Sequence, residues 1–166
     1  PGAILPDAVA VLDPKREDCN YPYDELCGCG VGFKLIQALG LNRNQTIEDL
    51  IPYLDLVATA IAADIVPITG ENRVLAHFGL QVINENPRPG IKALTHQLKK
   101  QILNITDVVF IIAPRINAAG RIKHGNHAVE LLSEFDFEQA QQFALEIEAY
   151  NSERKDLDKV ITKEAL

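Results

Sequence analysis

The longest nearly unbroken apolar stretch is LVATAIAADIV at residues 56–66, small or apolar everywhere except Thr59 and Asp64. It reads as the end of a helix spanning about 47–63, bent near Pro52 and started by Thr46 as N-cap, with Asp49 three residues on. Ala58, Ala60, Ala62 and Ala63 are small enough to let another element approach closely. Pro67 follows Asp64 by three residues, so Asp64 falls at or just past the helix C-terminus. Five further helices follow from apolar residues at helical spacing. They are the segment CGCGVGFKLIQALG ended by Gly40, then 71–84, a basic helix at 91–101, 106–112 and 127–135. From Asp136 to the C-terminus the chain is highly charged. Apolar residues at 140, 143, 144, 147, 150, 157, 160 and 161, with no Pro or Gly between, predict one long, largely exposed helix. The β-branched run at 8–12, stopped by Asp13-Pro14, predicts a short strand, and residues 14–25 read as loop. The fold class is therefore mainly α with one or two short strands. A lone strand is not stable by itself, so its partners are expected outside this chain.

Composition changes this picture little. The chain has 166 residues, 47% hydrophobic and 23% charged, as expected of one globular domain. No apolar run reaches the length of a membrane span and no signal peptide is visible. Three cysteines, with Cys27 and Cys29 too close for an ordinary disulfide, read as reduced thiols in a cytosolic protein. The chain opens on Pro-Gly and closes on ITKEAL, in mid-helix, so both ends read as those of a fragment.

Charge is more informative by segment. The net charge is −7, yet residues 88–123 carry 7 basic and 1 acidic side chains between two acidic flanks. Such a stripe can bind phosphates even on an acidic protein, or it can simply be a solvated face.

Three places carry candidate chemistry. Asp64 is the first: a carboxylate in apolar surroundings is costly to bury unless paired, and the plainer explanation is a helix-end acid satisfied by backbone N–H groups. Asp55, early in the helix, reads as solvated. The second is APRINAAGR at 113–121, where the apolar run breaks at Pro114. Arg115, Asn117 and Arg121 stand there among small residues, suited to a phosphate or to carboxylates of neighbouring helices. The third is GENR at 70–73, where Arg73 could reach a phosphate or pair with Glu71. The glycines at 28, 30 and 32 are better explained by close backbone packing than by phosphate binding.

Taken in order, PGAILPDAVAVLDPKREDCNYPYDELCGCGVGFKLIQAL, DLVATAIAADIVPITGENRVLAHFGL, RPGIKAL and FIIAPRINAAGR resemble the RecJ family of single-strand-specific exonucleases, within the DHH phosphoesterase superfamily. The resemblance covers essentially the whole chain. It implies a chain beginning just after the Asp-His-His motif. Residues 1–135 would be the C-terminal part of an α/β DHH domain, and 136–166 a connecting helix toward a DHHA1 domain. It implies a 5′→3′ exonuclease on single-stranded DNA in repair and recombination, cytoplasmic, with Mn²⁺ or Mg²⁺ in the full-length protein. Asp64 falls on the family's metal-binding aspartate. Arg115, Asn117 and Arg121 fall on an arginine-rich turn that holds DNA phosphate, and Arg73 is a further phosphate candidate. No catalytic residue is assigned within the chain. With the other ligands outside it, the fragment is expected to be inactive and metal-free. Alternatives are a DHH relative acting on short oligonucleotides or cyclic dinucleotides, and a non-catalytic phosphate-binding module.

Overall fold

The computed structural model describes residues 5–96, 98, 100–122 and 124–165. Its helices are α1 (Gly28–Leu41), α2 (Leu54–Ala63), α3 (Gly70–Glu85), α4 (Pro89–Thr95), α5 (Ile105–Asp107), α6 (Ala113–Ile122), α7 (Asn126–Ser133) and α8 (Phe137–Ala165). A 3₁₀ turn at Ile51–Tyr53 leads into α2, and a π-helical stretch at Val108–Ile112 joins α5 to α6.

The apolar stretch that dominates the sequence becomes the central helix. Leu54, Val57 and Ile61 of α2 enter one cluster with Phe33 of α1 and Leu75 and Ala76 of α3. Ala58 and Ala62 enter a second cluster with Ile83, Ile91, Ile112, Leu131 and Ile147, built from α3, α4, the π stretch, α7 and α8. A helix buried on opposite faces has to be apolar nearly all round, which is what its sequence shows. The small residues serve the expected close approach. A Cβ on Gly79 of α3 would sit 2.2 Å from the Leu54 carbonyl oxygen and 2.5 Å from Ala58 Cβ, so the two backbones touch. A Cβ on Gly90 of α4 would likewise sit 2.2 Å from the Leu131 carbonyl oxygen of α7.

Several expectations are corrected. No strand forms at 8–12: among the described residues nothing offers a ladder to pair with, and Val9 lies fully in solvent. The helix expected from 47 begins at Leu54, because Thr46 and Asp49 close a local turn and Pro52 starts the 3₁₀ segment. Gly40 lies inside α1, against the Gln45 side chain, and the helix runs one residue further. The basic helix stops at Thr95, whose hydroxyl bonds back to the Ile91 and Lys92 carbonyls. The chain does not break at Pro114. Proline lacks an N–H and collides with the carbonyl four residues back, and the wider π turn just before it, with Ala113 N–H on Val108 O, absorbs both. APRINAAGR is therefore helix α6 and not a turn. Of the glycines at 28, 30 and 32, only Gly30 packs closely, against Leu26; Gly28 and Gly32 face open space.

The first half of α8 buries Ala140, Ala144, Ile147 and Asn151 in the core, while residues 155–165 are exposed throughout. Among the described residues no helix is long and apolar enough to cross a membrane.

Candidate functional site

Asp64 is the C-cap of α2. Its backbone is extended (φ −89°, ψ 156°), its N–H closes the last helical turn onto Ala60 O at 2.9 Å, and its side chain is exposed. No side chain among the described residues pairs with it. This disposes of the burial problem: the carboxylate stands at the solvent end of the most buried helix.

The loop that follows is firmly held. Asn72, fully buried in the first turn of α3, donates from Nδ2 to the Pro67 carbonyl at 3.0 Å and to the Glu25 carbonyl at 2.7 Å. The Tyr23 hydroxyl donates to the same Pro67 carbonyl at 3.3 Å. The Tyr23 ring lies against Gly70, whose φ of +46° and lack of a side chain make that contact possible. Glu71 pairs with Lys34 of α1 at 2.8 Å and accepts from the Tyr21 hydroxyl at 2.7 Å, so it is not the partner of Arg73. Burial and the Glu71 carboxylate push the Tyr21 hydroxyl up. Burial alone would lower Lys34, but its bonds to Glu71 and Tyr21 outweigh it and leave it raised. Arg73 is exposed and unpaired among the described residues. Cys27 caps α1, its Sγ accepting from Gly30 N–H at 3.4 Å, and burial pushes its thiol up, away from the thiolate a metal would take.

Asp55 overturns the solvated reading. It is fully buried and ion-paired to Arg88, whose Nη2 lies 2.8 Å from it and whose Nε lies 2.9 Å from both oxygens. The Leu56 and Arg88 N–H groups complete its partners at 2.7 and 3.1 Å. Arg88 also donates to the carbonyls of Leu132 and Pro52, tying α7 and the 3₁₀ turn to α2. Neither residue carried a sequence signal. Asp55 read as a solvated acid early in its helix, and Arg88 stood out only as one cation of the basic stretch 88–123.

The three candidates on α6 separate. Asn117 and Arg121 are four residues apart, about 40° around the helix, and both are exposed. Arg115 lies about 200° from Asn117. It faces α8, with Nε on Glu148 and Nη1 donating to Ile111 O at 2.6 Å. Most described cations of the basic stretch are likewise engaged by other side chains. Arg88 is taken by Asp55, Lys100 by Asp107 at 2.6 Å, and Lys92 lies 4.8 Å above the Phe137 ring. Arg121 is its unpaired member among the described residues.

Asp64 supplies one hard oxygen donor of the kind Mn²⁺ or Mg²⁺ takes. Among the described residues no three His, Cys, Asp or Glu side chains converge as a metal site. The fit is that of one ligand within a larger set.

No protein-family model matches the chain. Curated proteins do. The single-stranded-DNA-specific exonuclease RecJ of Bacillus subtilis is 40% identical over 168 residues, matching all of this chain and 21% of its own length. That of Escherichia coli is 38% identical over 178 residues, all of this chain and 31% of its own length. Over its whole length the chain is similar to a segment of these RecJ proteins. Solved structures agree: a RecJ exonuclease bound to manganese superposes with a TM-score of 0.87 at 30% identity, over 99% of this chain and 41% of that one. A Thermus thermophilus RecJ in complex with Mn²⁺ gives the same TM-score and identity, over 99% of this chain and 24% of that one. The chain thus spans between about a fifth and a third of the curated RecJ relatives named here.

Proposed function

We propose that this chain is part of a divalent-metal exonuclease that hydrolyses single-stranded DNA, with Asp64 as one metal ligand and Arg121, Asn117 and Arg73 as the DNA-facing residues. The observation that carries the reading is Asp64 itself: an exposed carboxylate without a structural partner, at the end of a helix otherwise buried on both faces. The RecJ likeness over the whole chain gives that carboxylate a use. Residues 1–135 would then belong to the catalytic domain and the exposed end of α8 would lead onward to the next. Degradation from the 5′ end, a preference for Mn²⁺, a role in repair and recombination, and action in the cytoplasm belong to the same proposal.

The bound metal would supply an activated water and a counter-charge for the phosphoryl oxygens. The chain's own contribution is to present one ligand rigidly and to neutralise DNA phosphate. Arg121 and Asn117 offer donors from one exposed face of α6, whereas Arg115, held by Glu148, mainly joins α6 to α8.

The test is made in the full-length protein. Asp64→Asn should abolish Mn²⁺-dependent degradation of a single strand. Arg121→Ala should weaken strand binding and flatten its salt dependence by about 0.7 in log–log slope for each phosphate no longer neutralised. Arg115→Ala should leave that slope unchanged. Full activity in Asp64→Asn would end the metal-ligand reading, and an unaltered slope in Arg121→Ala would make that arginine structural.

A further inference from the structure

We infer that Asn72 is a positioning residue for the Asp64 carboxylate, acting through the backbone of the loop between α2 and α3; this rests on the reading of Asp64 as a metal ligand. Asp64 and Pro67 are three residues apart, and the segment between them has little freedom. Its first residue is fixed to the end of α2 by the hydrogen bond to Ala60 O. Val66 is half-buried against the α1–α2–α3 cluster. It also precedes a proline, which restricts its backbone, and Pro67 has its own φ locked. What remains to be set is where the Pro67 carbonyl lies.

Asn72 sets it. Both protons of its amide are committed, one to Pro67 O and one to Glu25 O, so one side chain clamps the Asp64 loop to the strap that enters α1. The two carbonyl acceptors fix which end of the amide is nitrogen. The Oδ1 atom is buried with no partner. An amide held in place by two donor bonds while its own acceptor stays unsatisfied is a costly arrangement for stability alone. Tyr23 adds a second donor to the same carbonyl from the exposed side. A group hydrogen-bonded directly to a metal ligand typically changes metal affinity ten- to a hundredfold when lost; Asn72 acts one step removed, through the backbone, so its loss should cost less than that.

Asn84 supplies a matched control. It also bridges backbone carbonyls, those of Leu80 and Leu103, but at the far end of α3. In the full-length protein, Mn²⁺ affinity is measured by EPR of free manganese for Asn72→Ala, Asn84→Ala and Asp64→Asn, alongside thermal unfolding of the metal-free proteins. Both asparagine variants should lose stability. Asn72→Ala alone of the two should weaken Mn²⁺ binding, by about fivefold or more, and Asn84→Ala should stay within about twofold of the parent. Unchanged affinity in Asn72→Ala, or equal loss in both, overturns the positioning role. Unchanged affinity in Asp64→Asn overturns the ligand reading itself, a separate result. If Asn72→Ala does not fold, Tyr23→Phe decides: it removes one donor to Pro67 O from outside the core and should weaken Mn²⁺ binding a few-fold, and no change there is refutation.

Discussion

Replacing Arg88 by Met tests whether the Asp55–Arg88 pair organises the fold. The change keeps much of the side chain's bulk and removes its charge and all of its side-chain donors. Asp55 would remain fully buried, with only the Leu56 and Arg88 N–H groups facing it. The carbonyls of Leu132 and Pro52 would each lose a donor as well. An uncompensated buried charge costs about 3–5 kcal/mol, against a total stability of about 5–15 kcal/mol for a domain. With a urea m-value of about 2 kcal/mol/M, a loss of about 4 kcal/mol moves the unfolding midpoint down by about 2 M. Circular dichroism at 222 nm through a urea series measures this directly. The double variant Asp55→Leu with Arg88→Met removes both charges, so it should recover part of the loss, with a coupling of about 2–3 kcal/mol. A single-variant loss under about 1 kcal/mol, or a double variant as unstable as the two singles added, would show that the pair is not what holds α2, α4 and α7 together.

Two other perturbations probe neighbouring parts. Gly79→Ala gains about 1 kcal/mol of helix propensity, but its Cβ meets the Leu54 carbonyl and Ala58, so the variant should lose about 2 kcal/mol net. The melting temperature would then fall by about 4–8 °C. Gly32→Ala, with nothing within 4 Å, should instead stabilise, and the same sign in both would refute the packing argument. Asp107 is held below its ordinary value of 3.8, chiefly by the Asn104 N–H and then by Lys100. Its contribution to the start of the 105–122 helix is therefore complete above about pH 4 and is lost as pH falls through the lower folded value. Carboxyl NMR should show Lys100→Ala raising the Asp107 midpoint only part of the way to 3.8.

Periodicity made the helices legible because each has one apolar stripe, and α2 legible because it has none. The helix at 105–122 was harder. Pro114 ordinarily ends a helix, and no sequence signal announces that one widened turn before it will accommodate the ring. The site was half legible. Asp64 drew notice because an acid interrupts an apolar run, and its position past the helix end followed from Pro67. Asn72 and Asp55 drew little, because their roles come from partners 47 and 33 residues away. Arg115 and Arg121 share one motif yet face different ways, since six residues turn a helix by about 600° and leave them on separate faces.

The location of Asp64 has an energetic consequence for the metal-free protein. The last carbonyls of α2 give its C-terminal end a partial negative charge, and a carboxylate at that cap adds to it. An anion there is unfavourable by about 0.3–1 kcal/mol, yet the same field is what a divalent cation would meet. Asp64→Asn should therefore stabilise the metal-free chain by a few tenths of a kcal/mol up to about 1, while removing the charge proposed to bind Mn²⁺. The stability gain should shrink as salt is raised, because the site is exposed and screened. Urea midpoints at low and high ionic strength measure both effects. If Asp64→Asn destabilises the metal-free protein, Asp64 has a structural partner and its carboxylate is not held in reserve for a cation.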